Sequence, residues 1–233
     1  MESFDLTQVR VAPKRGFVAG RAVSLRFAFR AAGPLDLRVQ VERRGGRVMR
    51  RWNLTGARPR SRFRVRWKGP RAGRYRFMVG PRGARPTRAG GFLLRGHAYP
   101  VRGPHWFRGA IGTFDAPRSR GRRHEGFDVS ARCGAPVVAA RGGKVTRRRY
   151  HRALYGHYVI VRGFRERREY MYAHLRSPGR VRKGRRVRTR QRLGEVGASG
   201  NARTVGCHLH FELHGPGGPF DPLPRLRAWD RWS

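Results

Sequence analysis

The sequence predicts an all-β protein, and three observations carry that expectation. Apolar residues across 1–95 alternate with a period of two, short apolar runs are separated by Gly-, Pro- and Arg-rich turns, and no convincing amphipathic helix precedes residue 223. Composition alone leaves disorder open. The 233 residues carry 55 Lys and Arg against 13 Asp and Glu, a net charge of +42. The alternation closes that option, because it gives the chain a face to bury.

The first elements follow in order. Val23, Leu25, Phe27 and Phe29 share one face, with Ser24, Arg26, Ala28 and Arg30 on the other. The pattern returns in Leu35, Leu37, Val39 and Val41 and, after the turn at 43–47, in Val48 to Leu54. Phe63, Val65 and Trp67 follow, then Tyr75, Phe77 and Val79, then Phe92 to Leu94. Such runs read as an antiparallel β-sandwich with arginine on its wet face. In strand count and spacing, residues 1–95 resemble a small immunoglobulin-like domain of the kind appended to bacterial cell-surface proteins. They contain no His and no Cys, so a spacer or binding role is expected of them.

A second domain is expected over 96–233, opening with a poorly periodic connection at 96–123. Strands are predicted near 136–139, 143–149, 157–162, 168–175, 187–196 and 208–213, and a short helix near Leu223 to Trp229, beside Pro222 and Pro224. The longest apolar stretch, about Cys133 to Ala140, is far short of the ~20 residues of a membrane span, so no transmembrane segment is expected.

The charge invites a nucleic-acid reading. Two counts weaken it. Lys supplies only 4 of the 55 cations and Ile only 2 residues against 20 Val, the signature of a GC-rich coding bias. Residues 1–100 hold 25 cations and 4 anions, and 101–233 hold 30 and 9, so the excess is spread evenly. No base-stacking module or recognition motif accompanies it. A specific nucleic-acid partner is therefore not expected, and a basic nucleic-acid-binding protein is kept as the weaker rival.

Chemistry concentrates in three motifs of the second domain: His124-Glu125-Gly126-Phe127-Asp128, Tyr172-Ala173-His174-Leu175 and Cys207-His208-Leu209-His210-Phe211-Glu212. In a strand, residues i and i+2 share a face, so His208 and His210 project together while Leu209 and Phe211 point to the core. That pairing suits a metal site, or one ligand beside one acid/base group. The offset of four puts His124 and Asp128 on one face, and in a strand Gly126 lies between them, leaving room for a metal.

Together these motifs resemble the lysostaphin-type (LytM-like) zinc metalloendopeptidases, which cut peptide bonds in bacterial peptidoglycan. The resemblance runs over about 97–225. It includes Gly134-Ala135-Pro136-Val137, Tyr155-Gly156-His157-Tyr158-Val159-Ile160 (the family often has Asn at the place of His157), Leu193-Gly194, Gly197 to Gly200 and Phe220-Asp221-Pro222. It implies a β-rich catalytic domain with His124, Asp128 and His210 holding Zn2+. It also implies that His174 and His208 stand beside the attacking water, with the division of labour between them open. Three His and carboxylate ligands leave a position free, as a catalytic zinc requires. All five positions are filled, unlike those of degenerate family members.

Cys133 follows Asp128 by five residues and Cys207 directly precedes His208. If the ligands converge on one metal, the two sulfurs come close as well, and an even count of two favours a disulfide in an oxidising compartment over two further zinc ligands. A loop of that length gives roughly 4 kcal/mol in the chain-entropy model. The implied function is hydrolysis of amide bonds in peptidoglycan stem peptides or crosslinks during cell-wall remodelling. The expected location is extracytoplasmic, secreted or wall-associated. The polar, acidic opening Met1-Glu2-Ser3-Phe4-Asp5 shows no export signal, which the chosen start is expected to have removed. The basic coat is expected to draw the protein to anionic wall polymers. The rival from another class is a non-catalytic wall binder or an activator of another hydrolase.

Overall fold

In the computed structural model, which describes residues 4–231, strands form where apolar side chains alternate. The chain divides into two units, Met1–Gly96 and His97–Ser233. The first unit contains β1 (Asp5–Ala12), β2 (Arg15–Phe17), β3 (Val23–Arg30), β4 (Leu35–Arg43), β5 (Val48–Ala57), β6 (Phe63–Trp67), β7 (Gly73–Pro81) and β8 (Thr87–Arg95). They make a three-stranded sheet, β1-β3-β6, and a five-stranded sheet, β2-β8-β7-β4-β5. The alternating residues fill the core: Leu25, Phe27, Phe29, Leu37, Val39, Val41, Phe77 and Val79 are at most 1% exposed. Trp67 of the smaller sheet meets Tyr75 and Phe92 of the larger edge to face, at 4.9 and 5.8 Å.

Two strands here have no counterpart in the sequence reading. In β1 only Val11 is buried, so alternation gives little signal. β2 has three residues and pairs with β8 in parallel, an exception to the antiparallel pattern expected.

The second unit contains β9 (His105–Phe107), β10 (Phe127–Ala131), β11 (Pro136–Val138), β12 (Gly143–His151), β13 (Gly156–Gly163), β14 (Glu169–Leu175), β15 (Arg186–Val187), β16 (Arg192–Glu195), β17 (His208–Gly215), β18 (Gly218–Phe220) and one helix, α1 (Leu223–Asp230). The main sheet runs β15-β12-β13-β14-β17-β10-β9, with β18 added to β17, and β11 pairs with β16. The strand expected over 187–196 is two strands. Arg190 lies at φ 67, and a turn closed by the Gln191 N–H donating to the Arg188 carbonyl separates them. The stretch read as an aperiodic connection carries β9 and two single turns of 3-10 helix. Among the described residues no helix is long and apolar enough to cross a membrane.

One face of the sheet packs a core from Phe127, Val129, Val159, Val161, Tyr170, Tyr172, Leu209, Phe211 and Leu213, closed by Leu226 and Trp229 of α1. Beside it, a buried polar cluster ties the turn between β13 and β14 to the start of the unit. His97 lies 3.2 Å from the Glu166 carboxylate and 2.8 Å from the Tyr170 hydroxyl, and Trp229 stacks on the His97 ring at 4.6 Å. Tyr170 donates to the same carboxylate, and Arg141 lies 3.4 Å from it. Burial pushes the Glu166 carboxyl up, but the contacts with His97, Tyr170 and Arg141 outweigh it and hold it at about 2. Cys133 and Cys207 form a disulfide that joins the end of β10 to the start of β17.

Candidate metal centre and catalytic groove

β17 pairs with β10 so that Asp128 stands opposite His210 and Ser130 opposite His208. Leu209 and Phe211 are fully buried in the core, and the two histidines face the other way. Register therefore delivers Asp128 beside His210. His124 arrives differently. It lies ahead of β10 in irregular chain, held where its carbonyl accepts from Asp115 N–H and its own N–H donates to the Ala116 carbonyl.

The three side chains converge. His124 Nε2 lies 3.1 Å from Asp128 Oδ1 and 2.9 Å from His210 Nδ1, and His210 Nδ1 lies 2.9 Å from Asp128 Oδ1. Each imidazole is steered by its other nitrogen. His124 Nδ1 donates to the Thr113 carbonyl at 2.6 Å, and His210 Nε2 donates to Glu212 Oε1 at 2.7 Å. Two nitrogens and a carboxylate oxygen form a donor set that zinc accepts, and ligands of a tetrahedral zinc stand about 3.3 Å apart, close to this triangle. The residues present fit the ion.

Gly126 corrects one expectation. A Cβ there would meet the Phe211 carbonyl at 2.6 Å, His210 Cε1 at 2.8 Å and Glu212 Cγ at 2.9 Å. The glycine makes room for β17 and for the ligand ring, not for the metal.

The charges around the trio reinforce one another. Burial alone would raise the Asp128 carboxyl, but hydrogen bonds from His124 and His210 hold it ionised, well below the usual range. Burial pulls His210 down, and Asp128 and Glu212 more than reverse that, raising it to about 9. Burial likewise raises Glu212, while His210 and His214 bring it to about 2.

His174 and His208 behave in the opposite sense. Their rings lie 4.7 Å apart, centroid to centroid, and His174 lies 5.7 Å from His210. Burial, with His210 and His208 adding to it, pushes His174 down to about 3. Burial lowers His208 as well, against the Asp128 charge and the Gly206 carbonyl. Both rings therefore stay neutral. His174 Nδ1 donates to the Ser199 carbonyl at 2.8 Å, leaving Nε2 as a proton acceptor. His208 Nδ1 lies 2.9 Å from the Gly206 carbonyl and 3.0 Å from Arg108 Nη1. The carbonyl contact requires the proton on Nδ1 and frees Nε2; the guanidinium contact requires the other tautomer.

His174 owes its place to a bulge. Between the pairs His157↔Leu175 and Val159↔Tyr172, β14 has two residues where β13 has one, and His174 sits at φ 58. Unbroken alternation from the buried Tyr172 would send His174 into the core and Leu175 out. The extra residue lets Leu175 join the core and turns His174 to the groove. The 197–200 turn holds this arrangement. Ser199 Oγ donates to the Leu175 carbonyl at 2.7 Å, and a Cβ at Gly200 would strike Gly156 N at 2.3 Å.

The five residues line one groove of about 820 Å³. Sequence reasoning gave no role to four others on its walls. Arg108 contacts His208 and donates to the Val205 carbonyl. Arg118 donates to the Ile111 carbonyl at 2.8 Å and lies 3.7 Å from the second oxygen of Asp128. Burial, then the Glu212 and Glu125 charges, raise the Tyr155 phenol and keep it protonated. Glu212 alone had a readable signal, because a residue two past His210 on the same strand shares its face.

Three donors that could hold a metal ion thus converge beside two neutral imidazoles in one groove. Residues 122–222 match Peptidase family M23, so the second unit carries a domain of that peptidase family, as the resemblance to LytM-like enzymes implied. The chain is 35% identical over 144 residues to the "Lipoprotein NlpD/LppB homolog" of Pseudomonas aeruginosa, covering 62% of this chain and 44% of that protein. It is 34% identical over 150 residues to the "L-Ala--D-Glu endopeptidase" of Bacillus subtilis, covering 59% and 45%. The chain thus spans less than half the length of these curated relatives. The catalytic domain of the antimicrobial peptidase lysostaphin from Staphylococcus simulans superposes with a TM-score of 0.45 at 25% identity, over 53% of this chain and 92% of that domain.

Proposed function

We propose that the second unit is a zinc-dependent endopeptidase that hydrolyses amide bonds in peptidoglycan stem peptides or crosslinks, outside the cytoplasm. The observation that carries this reading is the convergence of His124, Asp128 and His210 beside two histidines held neutral in the same groove. His124 Nε2, Asp128 Oδ1 and His210 Nδ1 would hold the ion. When bound, zinc supplies Lewis acidity, which acidifies a water and polarises the scissile carbonyl. His208, in the tautomer bonded to Gly206, accepts the water's proton at Nε2 and returns it to the leaving amine. His174, locked by Ser199, orients the water through its own Nε2. The name of the Bacillus subtilis relative supports a peptide substrate of this kind.

The first unit is read as an immunoglobulin-like spacer or binding module. The disulfide supports an extracytoplasmic setting.

Digestion of purified peptidoglycan of defined chemistry, with and without a chelator, tests the proposal. Release of peptide fragments, identified by mass and abolished by the chelator, is the expected outcome. Zinc-loaded protein that binds sacculi and releases nothing would instead establish the activator reading.

A further inference from the structure

The outer face of the three-stranded sheet in the first unit carries a row of like charges. Arg10 of β1 pairs in register with Arg26 of β3, and Arg26 with Arg64 of β6, so three guanidinium side chains leave the same face on adjacent strands about 5 Å apart. Like charges directly opposed across a sheet oppose folding. Arg66 extends the set along β6, since alternate residues share a face, and Arg62 lies in the chain directly before that strand. All five are exposed. No side-chain hydrogen bond or ion pair engages them among the described residues. The five-stranded sheet contrasts, for its Arg76 pairs with Glu42, and Arg82 in the turn after β7 lies 3.6 Å from Asp36 of β4.

A second feature lies at the same place. The β1–β3 ladder slips between Thr7 and Arg10, and Gln8 in that bulge adopts φ 50, the left-handed region that a non-glycine residue seldom occupies. Bulges and strained residues of this kind concentrate at sites that bind ligands. Gln8, Arg10, Arg26, Arg62 and Arg64, together with Phe27 and Phe63, line a depression of about 370 Å³. The Arg64 charge is itself disfavoured, first by Arg26 and then by Arg66.

We propose that this depression binds successive phosphodiester groups of a polyol-phosphate polymer of the cell wall. Guanidinium groups take phosphate oxygens in bidentate fashion. The alternate arginines of β6 repeat every ~6.7 Å, which suits a chain of anions better than a single ion. Single-stranded nucleic acids are held by a basic track together with aromatic rings that stack on bases. The two aromatic residues of the depression, Phe27 and Phe63, pack on each other at 5.4 Å, and Phe27 is 1% exposed and Phe63 partly buried, so neither offers a free ring face to a base, which favours a polymer without bases. The identity of the polymer rests on the wall location proposed above; the anion site does not.

The test is the affinity of the full chain for a synthetic glycerol-phosphate oligomer at fixed ionic strength. Competitors are inorganic phosphate and an oligodeoxynucleotide of equal charge. R26Q/R64Q and, as a second variant, R10Q/R62Q should each weaken binding at least tenfold. R50Q/R51Q, which removes the same charge from β5, should weaken it less than twofold. The thermal midpoint of R26Q/R64Q should hold or rise, because opposed charges are removed. Equal losses in all three variants would show a diffuse charge effect and overturn the site. Oligonucleotide or inorganic phosphate binding as tightly as the oligomer would overturn the polymer assignment. Binding should persist in chelator, and absence of peptidoglycan cleavage by the zinc-loaded protein with oligomer binding intact would count against the endopeptidase alone.

Discussion

The two sides of the groove use the same residue type in opposite electrical states. On one side His210 sits between Asp128 and Glu212, two ionised carboxylates, and its basicity is raised to about 9. On the other, His174 and His208 rest against the carbonyls of Ser199 and Gly206, neutral dipoles that cannot offset burial, and both are lowered. A histidine backed by carboxylates is an electron-rich ligand; one backed by a carbonyl in a buried site is a neutral proton acceptor. On the proposed roles His210 holds the ion and His174 and His208 handle the proton, while His124 joins the ligands with the Thr113 carbonyl behind it and the Asp128 carboxylate beside it.

The largest break in this comparison comes from His210→Ala. The variant should lose zinc on metal analysis, and its cleavage of peptidoglycan should fall to the level of the chelated protein. His208→Ala should separate the two sides. Zinc content should stay at one equivalent while kcat falls about 10²–10⁴-fold, the range of a lost general acid/base. Should His208→Ala lose its zinc as well, the two sides would not be distinct.

Glu212→Gln sharpens the ligand side. It keeps the shape but removes the charge behind His210, and zinc affinity by competition titration should weaken ~10–100-fold. The smallest effect lies away from the groove, at Glu166. Its folded pKa of about 2 is below the ordinary 4.5. Its stabilisation is therefore present above pH 4.5 and lost as pH falls through about 2. Glu166→Gln should lower stability at neutral pH by on the order of 2 kcal/mol, and the two proteins should converge near pH 2 in denaturant titrations. A constant gap down to pH 2 would assign the loss to packing.

The legibility of the molecule varied with the kind of signal. β3, β4, β6 and β7 could be read because each buries alternate large apolar residues, and α1 because prolines mark its start. β1 and β2 could not, since one buries a single side chain and the other is three residues long. The spacing of His208 and His210 placed both on one face of β17. The spacing of His124 and Asp128 did not act through a strand, since His124 lies in irregular chain pinned by 113–116.

The sequence by itself determined the strand-rich class, the family resemblance and the residue types that meet at the site, because these depend on local alternation and short motifs. Only the tertiary structure decided how they meet. The β10–β17 register brings Asp128 to His210, the bulge in β14 turns His174 out of the core, and the Ser199 carbonyl fixes which nitrogen of His174 carries the proton. Those are properties of paired backbones from distant parts of the chain, and no local pattern encodes a register or an extra residue in a ladder.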